Sequence, residues 1–135
     1  MNLLLDTHVL LWWLGDPDRL RAPARKAIAD PRNSVYVSAT SAWEIAIKIA
    51  TGKLSVPPDA SSWLPQDVQA SHFTPLPITI EHALGVEHLP RHHADPFDRL
   101  LISQAVAEHL TLVTADPQLE PYGVPLLRTD SGTRR

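Results

Sequence analysis

The sequence predicts an α/β fold in which a central parallel β-sheet lies between layers of helices. Its first segment, the unbroken apolar run Leu3–Leu5, is typical of a strand that is buried on both faces. Segments of strand and helix character then alternate along the chain, as they do in proteins built from βαβ units. The chain has 135 residues, of which 44% are apolar and 20% charged, so it is long enough and apolar enough for one globular domain.

The first half of the chain is expected to contain two strands, each followed by helices. Asp6 or Thr7 is a suitable N-cap for the first helix, because apolar residues recur behind it at helical spacing. The later elements, in order, are a turn at 15–18, a short helix at Pro23–Ala29, a turn at 30–33, a strand at Val35–Ser38 and a helix at Ala42–Thr51 that is capped by Thr40 or Ser41 and ends at Gly52.

The second half is expected to begin with helical and extended segments that are punctuated by proline. The predicted elements, in order, are a helical segment at Trp63–Ala70, an edge strand or strand-like linker at Phe73–Ile78, a short helix from Thr79 to Leu84, a polar loop at His88–Ala94, a helix that starts at Asp95–Pro96, a strand at Leu110–Thr114, a turn at 115–117 and a strand at Val124–Leu127. A single domain is therefore predicted for residues 1–128, followed by a polar, basic tail at 129–135.

Composition excludes several kinds of site and favours a cytoplasmic protein. The chain has no cysteine, which rules out disulfides, a thiolate nucleophile and a cysteine-ligated zinc site. Its amino terminus lacks a basic leader and no stretch approaches 18 apolar residues, so neither a signal peptide nor a membrane span is expected. The formal net charge of −3 argues against general affinity for nucleic acid but leaves room for a local basic face.

Four acidic residues occupy positions that an α/β fold could bring together. Asp6 follows the first strand, Glu44 lies on the helix after the second, Asp98 lies near the start of the helix at 96, and Asp116 follows the strand that ends at Thr114. Each position also has a purely structural explanation. Asp6 and Asp116 can act as caps, Asp98 can interact with a helix dipole, and Glu44 can pair with Lys48 one turn away.

Converging carboxylates would require a compensating positive charge. Two like charges about 5 Å apart repel by roughly 3 kcal/mol at an effective dielectric constant near 20, so several acids cannot stay ionised together without a cation or a shared proton. Oxygen ligands favour a hard ion, Mg²⁺ or Mn²⁺, and such an ion suits the hydrolysis of a phosphodiester. The hydroxyl groups of Thr7 and Thr114 could contact metal-bound water, although threonines at such positions more often bond the backbone.

The histidines are weaker candidates. His92 and His93 are adjacent and are followed by Ala94 and Asp95, a pattern that resembles a cluster of metal ligands. Neighbouring histidines on a loop rarely face the same ion, however, so a zinc site there is disfavoured. Asp95, which precedes a proline, is most simply an N-cap. His8 and His109 are expected to be packed or surface residues.

Four segments resemble the successive motifs of PIN-domain proteins of the VapC toxin type. These segments are residues 3–14, 41–48, 92–105 and 112–116, and they occur in the family's order and spacing along nearly the whole chain. The resemblance implies a three-layer α/β/α sandwich with a parallel sheet, and a Mg²⁺- or Mn²⁺-dependent endoribonuclease that acts on RNA. It also implies a cognate antitoxin and a homodimer. By motif, it places Asp6, Glu44, Asp98 and Asp116 among the metal-binding acids and makes Asp95 an accessory acid or a cap.

Two other functions are compatible with the same sequence features. A haloacid-dehalogenase-like phosphatase also has an aspartate after its first strand, but it needs a second acid two residues later, where this chain has His8. A non-catalytic α/β interaction module would use the acids only as caps. Trp12, Trp13 and Trp43 are expected in the core, and any that is exposed becomes a candidate for the dimer or antitoxin interface.

Overall fold

The computed structural model describes residues 1–129, which form five strands and six α-helices. Their bounds are β1 (Asn2–Leu5), α1 (Thr7–Gly15), α2 (Ala22–Ala29), β2 (Ser34–Ser38), α3 (Ala39–Ala50), α4 (Leu64–Ala70), β3 (Thr74–Leu76), α5 (Ile80–Gly85), α6 (Pro96–Glu108), β4 (Thr111–Thr114) and β5 (Leu126–Arg128). Short 3₁₀ helices occupy Pro17–Arg19, Ala60–Ser62, Val86–His88 and Pro117–Tyr122. The alternation of strands and helices predicted from the sequence is confirmed.

The strands form one all-parallel sheet in the order β3-β2-β1-β4-β5. Leu3 and Leu5 face a core shared with α1, α2, α3 and α4, whereas Leu4 faces a second core that includes Leu101 and Ile102 of α6. All three leucines of β1 are fully buried, as expected for a central strand that is covered on both faces. The predicted three-layer α/β/α sandwich is confirmed.

The strand order creates a switch point between β1 and β4. From β1 the chain proceeds outward on one side through β2 and β3, and it then returns across the sheet to place β4 on the other side of β1. In open parallel sheets, ligand sites form at the carboxyl ends of the two strands where the order reverses. Asp6 directly follows β1 and Asp116 lies two residues beyond β4, so the topology brings both acids to this point.

Several boundaries differ by one or more residues from those predicted, and three of these differences are informative. The N-cap of α3 is Ser38 rather than Thr40 or Ser41, because the Ser38 hydroxyl accepts the Thr40 amide N–H at 2.8 Å and β2 leads straight into the helix. Helix α1 continues through Gly15, and a 3₁₀ turn follows it. The last strand begins at Leu126 instead of Val124.

The packed chain extends one residue beyond the predicted domain boundary. Thr129, the first residue of the predicted tail, is buried; its hydroxyl accepts the Arg21 amide N–H at 2.8 Å and its own N–H bonds the Thr114 carbonyl at 3.0 Å. The rest of that tail, residues 130–135, lies outside the described residues. Within residues 1–129, no helix combines the length and apolar character that crossing a membrane requires.

Candidate metal centre

The predicted acids line one cavity at the carboxyl end of the sheet, which we call the acid cavity. Its volume is about 160 Å³. The residues that line it are Asp6, Thr7, His8, Glu44, Lys48, His93, Asp95, Asp98 and Asp116. Five carboxylates from distant parts of the chain therefore share a space that could hold little more than an ion and a few waters.

Asp6 and Asp116 each cap a helix and also face the acid cavity. Oδ1 of Asp6 accepts the Val9 amide N–H at 2.9 Å, and Oδ1 of Asp116 accepts the Gln118 amide N–H at 2.9 Å. Each cap uses only one carboxylate oxygen, so the capping role and a role in the cavity are compatible. The Thr114 side chain lies beside both acids: its oxygen accepts the Asp116 backbone N–H at 3.0 Å, and its hydroxyl lowers the pKa of the neighbouring Asp6 carboxyl.

Asp98 is placed by the first turn of α6. Asp95 is the N-cap of this helix, and its Oδ1 accepts the amide N–H groups of Phe97 and Asp98 at 2.8 and 3.2 Å. The side chain of Asp98 is thereby directed toward His93, whose Nε2 lies 2.8 Å from Asp98 Oδ2 and 3.6 Å from Asp116 Oδ2. The capping role predicted for Asp95 is confirmed.

Glu44 is buried at the side of the acid cavity with both oxygens engaged. Its Oε1 lies 2.5 Å from the hydroxyl of Thr7, which also lies 2.9 Å from the Ser41 hydroxyl, and its Oε2 lies 2.5 Å from Nζ of Lys48. The predicted pairing of Glu44 with Lys48 is confirmed, but the pair lines the cavity rather than an open helix surface. Thr7 contacts an acid instead of only the backbone.

The electrostatics of the acid cavity disfavour a full set of negative charges. Burial raises the pKa of Asp6 to about 6, with smaller contributions from the charges of Glu44 and Asp116, while hydrogen bonds from Thr114 and Val9 oppose the rise. Burial likewise raises the pKa of Asp98 to about 6; the charges of Asp95 and Asp6 add to this effect, and the hydrogen bond to His93 opposes it. Lys48 has a raised pKa because it bonds Glu44. The site therefore favours added positive charge.

The donor set fits a divalent cation. His93, Asp98 and Asp116 each offer a ligand atom, and these atoms all lie within 4.8 Å of one another. Asp6 and Glu44 supply further carboxylate oxygens in the same cavity. Carboxylate oxygens suit hard ions such as Mg²⁺ and Mn²⁺, and an imidazole nitrogen is acceptable to transition-metal ions.

The sequence did not predict that His93 and Lys48 line the acid cavity. His93 was disfavoured as a ligand because histidine pairs on loops rarely share an ion, yet here one member faces the acids while the ring of His92 packs against Tyr122, with a centroid distance of 5.2 Å. The sequence signal that identifies His93 as a cavity residue is its place in the chain, just before α6. A loop that leads into the N-terminus of α6 must pass the carboxyl end of the sheet, where Asp98 also lies.

The aromatic side chains are divided between core and surface. Trp12 and Trp13 pack against the core that contains Leu3, as predicted for both. Trp43 is 54% exposed and makes an edge contact with Phe97, with a ring-centroid distance of 5.1 Å, so its placement in the core was wrong. Ile47, one turn further along α3, is also exposed.

The fold and the site together define a class of protein: an α/β/α sandwich with an acidic cavity at the switch point of its parallel sheet. Comparisons with known proteins identify the family. The PIN-domain family profile matches residues 3–124. The chain belongs to the PIN-domain family and, within it, is of the VapC type. It is a nuclease by family.

Its relatives support this assignment at the levels of sequence and fold. Ribonuclease VapC22 of Mycobacterium tuberculosis is 33% identical over 125 residues, which cover 92% of this chain and 94% of that protein. The structure of VapBC2 from Rickettsia felis bound to a promoter DNA fragment has a TM-score of 0.72 at 16% identity, covering 96% of this chain and all of the matched chain. DNA-bound VapBC from Salmonella typhimurium has a TM-score of 0.68 at 15% identity, covering 95% and 98% of the two chains.

Proposed function

We propose that this protein is a divalent-metal-dependent endoribonuclease, acting as the toxin of a type II toxin–antitoxin pair. The observation that carries the proposal is the acid cavity itself, in which five carboxylates from four separate parts of the chain meet at the switch point of the sheet. Membership of the PIN-domain family supports hydrolysis of nucleic acid, and the named ribonuclease relative supports RNA as the substrate. The phosphatase alternative has no comparable support, since His8 stands where that family needs an acid.

We assign the metal-binding role to Asp6, Asp98, Asp116 and Glu44, with Mg²⁺ or Mn²⁺ as the ion. A bound ion of this kind polarises a phosphoryl oxygen and lowers the pKa of a coordinated water. The chain supplies the rest: Asp95 fixes the first turn of α6 and so orients Asp98, and Thr114 accepts the backbone N–H of Asp116 beside the Asp6 carboxylate.

Two side chains set the conformation of Glu44 in this assignment. Thr7 and Lys48 bond opposite oxygens of the carboxylate, so Glu44 can approach an ion only in competition with Lys48. Lys48 therefore supplies positive charge at one side of the cavity, where it can also attract a phosphate of the substrate. Glu44 acts as a weaker or indirect ligand compared with Asp98 and Asp116.

The Asp98→Asn variant tests the proposed activity. Purified wild-type protein should cleave RNA in the presence of Mn²⁺ or Mg²⁺ and lose this cleavage in EDTA. The variant should show only background cleavage, because it retains the shape of the side chain but loses a charged oxygen in the cavity. Asp18→Asn is the matched control, because it makes the same chemical change at an exposed position. Asp18 lies in the turn after the C-terminal end of α1, whereas the N-terminal end of α1 lies at the acid cavity. Undiminished cleavage by Asp98→Asn would refute the assignment.

The proposed partners are a cognate antitoxin and a second copy of the chain, and the proposed compartment is the cytoplasm. The solved VapBC complexes with the same fold support an antitoxin partner. Exposed Trp43 and Ile47 on α3 are our candidates for one of these contacts. Large apolar side chains that lie next to each other on a protein surface commonly mark an interface.

Two measurements test the toxin role and the homodimer. Expression of the chain alone should arrest bacterial growth, and expression of Asp98→Asn should not. Sedimentation equilibrium of the purified protein should give twice the 14.9 kDa mass of one chain. A monomer at micromolar concentration would contradict the homodimer.

A further inference from the structure

The loop before α6 directs one histidine into a cavity that is otherwise lined mainly by acids. Nε2 of His93 lies 2.8 Å from Asp98 Oδ2 and 3.6 Å from Asp116 Oδ2. Two ligands at right angles around an ion, each about 2.1 Å from it, lie about 3 Å apart. The two separations bracket this value, and the ligand atoms of His93, Asp98 and Asp116 all lie within 4.8 Å of one another, so their spacing fits the ligands of one ion.

The loop that carries His93 is held by several hydrogen bonds. Arg99 on α6 donates to the carbonyls of Pro90 at 2.8 Å and Val86 at 3.1 Å. The Tyr122 hydroxyl accepts from Arg99 at 3.2 Å and donates to the carbonyl of His93 itself at 3.4 Å. These contacts attach the loop to the same helix that carries Asp98. The backbone of His93 is therefore held in place relative to Asp98.

We infer that His93 is a direct nitrogen ligand of the catalytic ion, which makes this a mixed nitrogen–oxygen site with a preference for a divalent transition-metal ion such as Mn²⁺ over Mg²⁺. This inference rests on the proposed metal-dependent function. Coordination through Nε2 requires the neutral ring with its proton on Nδ1. Mg²⁺ strongly prefers oxygen and keeps its waters, whereas an imidazole adds affinity for transition-metal ions.

Pulsed EPR of Mn²⁺ bound to the wild-type protein tests the inference directly. A coordinated imidazole produces nuclear modulation from its ¹⁴N, and a histidine that only hydrogen-bonds a ligand carboxylate does not give this strong coupling. We expect the ¹⁴N coupling in the wild type and its loss in His93→Gln. Two histidines serve as matched controls: His92, which neighbours His93 and packs on Tyr122, and His8, which lines the same cavity.

Metal affinity supplies a second readout. His93→Gln should weaken Mn²⁺ binding at least about 10-fold, and it should change Mg²⁺ binding by less than about threefold. Affinity alone does not separate a ligand from a residue that positions a ligand, because either change can cost about 10- to 100-fold. The EPR result therefore decides. Circular dichroism and thermal unfolding in EDTA establish that each variant is folded. The EPR spectrum of the wild-type protein tests for ¹⁴N coupling even if a variant fails to fold.

The outcomes distinguish this inference from the proposed function. A spectrum without ¹⁴N coupling, or a coupling that disappears in His8→Gln or His92→Gln instead, overturns the role of His93 even if RNA is cleaved. A ¹⁴N coupling lost only in His93→Gln supports it, whether or not RNA cleavage is found. Failure of Mn²⁺ to bind the wild type would overturn both.

Discussion

Helix α6 contributes to two buried polar regions that differ in net charge and in how well their hydrogen-bond donors and acceptors match. The first is the acid cavity at its N-terminus, where five carboxylates face one lysine and two histidines. The second, which we call the Gln104 network, lies near the middle of the helix. There Oε1 of Gln104 accepts from the hydroxyls of Ser38 and Thr40 at 2.5 and 3.2 Å, and Nε2 bonds the Pro77 carbonyl and His82 Nδ1, both at 3.3 Å.

Each region contains a histidine 2.8 Å from a carboxylate, but the two rings differ in their other partners. In the Gln104 network, Nδ1 of His82 accepts the Thr79 amide N–H at 3.1 Å, which leaves Nε2 to donate to Glu108. In the acid cavity, one nitrogen of His93 faces two carboxylates. A network whose donors and acceptors match is complete without a ligand, whereas a cavity with surplus acceptors and negative charge is stabilised by a bound proton or cation.

The largest expected contrast comes from Asp6→Asn. The amide oxygen of asparagine can still accept the Val9 amide N–H, so the cap of α1 is kept while the charge in the acid cavity is lost. RNA cleavage with Mn²⁺ should fall at least roughly 1,000-fold, about 4 kcal/mol of activation free energy. Initial rates measured beside Asp18→Asn provide the check. Normal cleavage by Asp6→Asn would reduce Asp6 to a cap and remove the difference between the two regions.

The stability of the metal-free protein should depend on pH through the acid cavity. The pKa of Asp6 is about 6 in the folded protein, above its ordinary value of 3.8, so the folded state holds this proton more tightly than the unfolded state. The resulting stabilisation is fully present below about pH 4 and is lost as pH rises through 6, with a total of up to about 3 kcal/mol.

Urea unfolding in EDTA between pH 4 and 8 measures this loss. Asp6→Asn should lack Asp6's part of it and should therefore be more stable than the wild type at pH 8. Asp18→Asn should follow the wild-type curve, and Mn²⁺ should restore wild-type stability at pH 8 by binding the folded state. Identical pH curves for the wild type and Asp6→Asn would show that the buried carboxylate carries no such strain.

The sequence was sufficient for the fold because its local signals agree with one another. The run Leu3–Leu5 predicts a strand covered on both sides, and Asp95 with Pro96 predicts the start of α6 at the observed residue. The N-cap of α3 was misplaced because Ser38, Thr40 and Ser41 are all good caps, and only pairing with β1 and β3 fixes where β2 ends.

The candidate site could be predicted only in part. Strand ends indicate where Asp6 and Asp116 lie, since parallel strands finish at a common edge. The contact of His93 with Asp98 depends instead on the path of an irregular loop, which is held by Arg99 and Tyr122 and has no periodic signature. The roles assigned to the acids remain predictions until the variants are measured.

Disrupting the Gln104 network should affect stability without affecting metal binding. Gln104→Leu removes the acceptor for the Ser38 and Thr40 hydroxyls and the donor to the Pro77 carbonyl, and it should lower the free energy of unfolding by about 1–3 kcal/mol. Mn²⁺ affinity should stay within about threefold of the wild type, because no cavity-lining residue changes. Urea unfolding and Mn²⁺ titration provide the two readouts. A large loss of affinity would show that the two regions are coupled through α6.

The smallest effect is expected from Glu108→Gln. Glu108 is 42% exposed, and glutamine still offers an oxygen to the Nε2–H of His82, so the free energy of unfolding at pH 7.5 should change by no more than about 0.5 kcal/mol. Nδ1 of His82 already accepts the Thr79 amide N–H, so Nε2 is the nitrogen that donates to Glu108. A loss of more than about 1 kcal/mol would mean that the pair depends on charge. The Gln104 network would then resemble the acid cavity, where the balance of charge rather than the matching of hydrogen bonds determines stability.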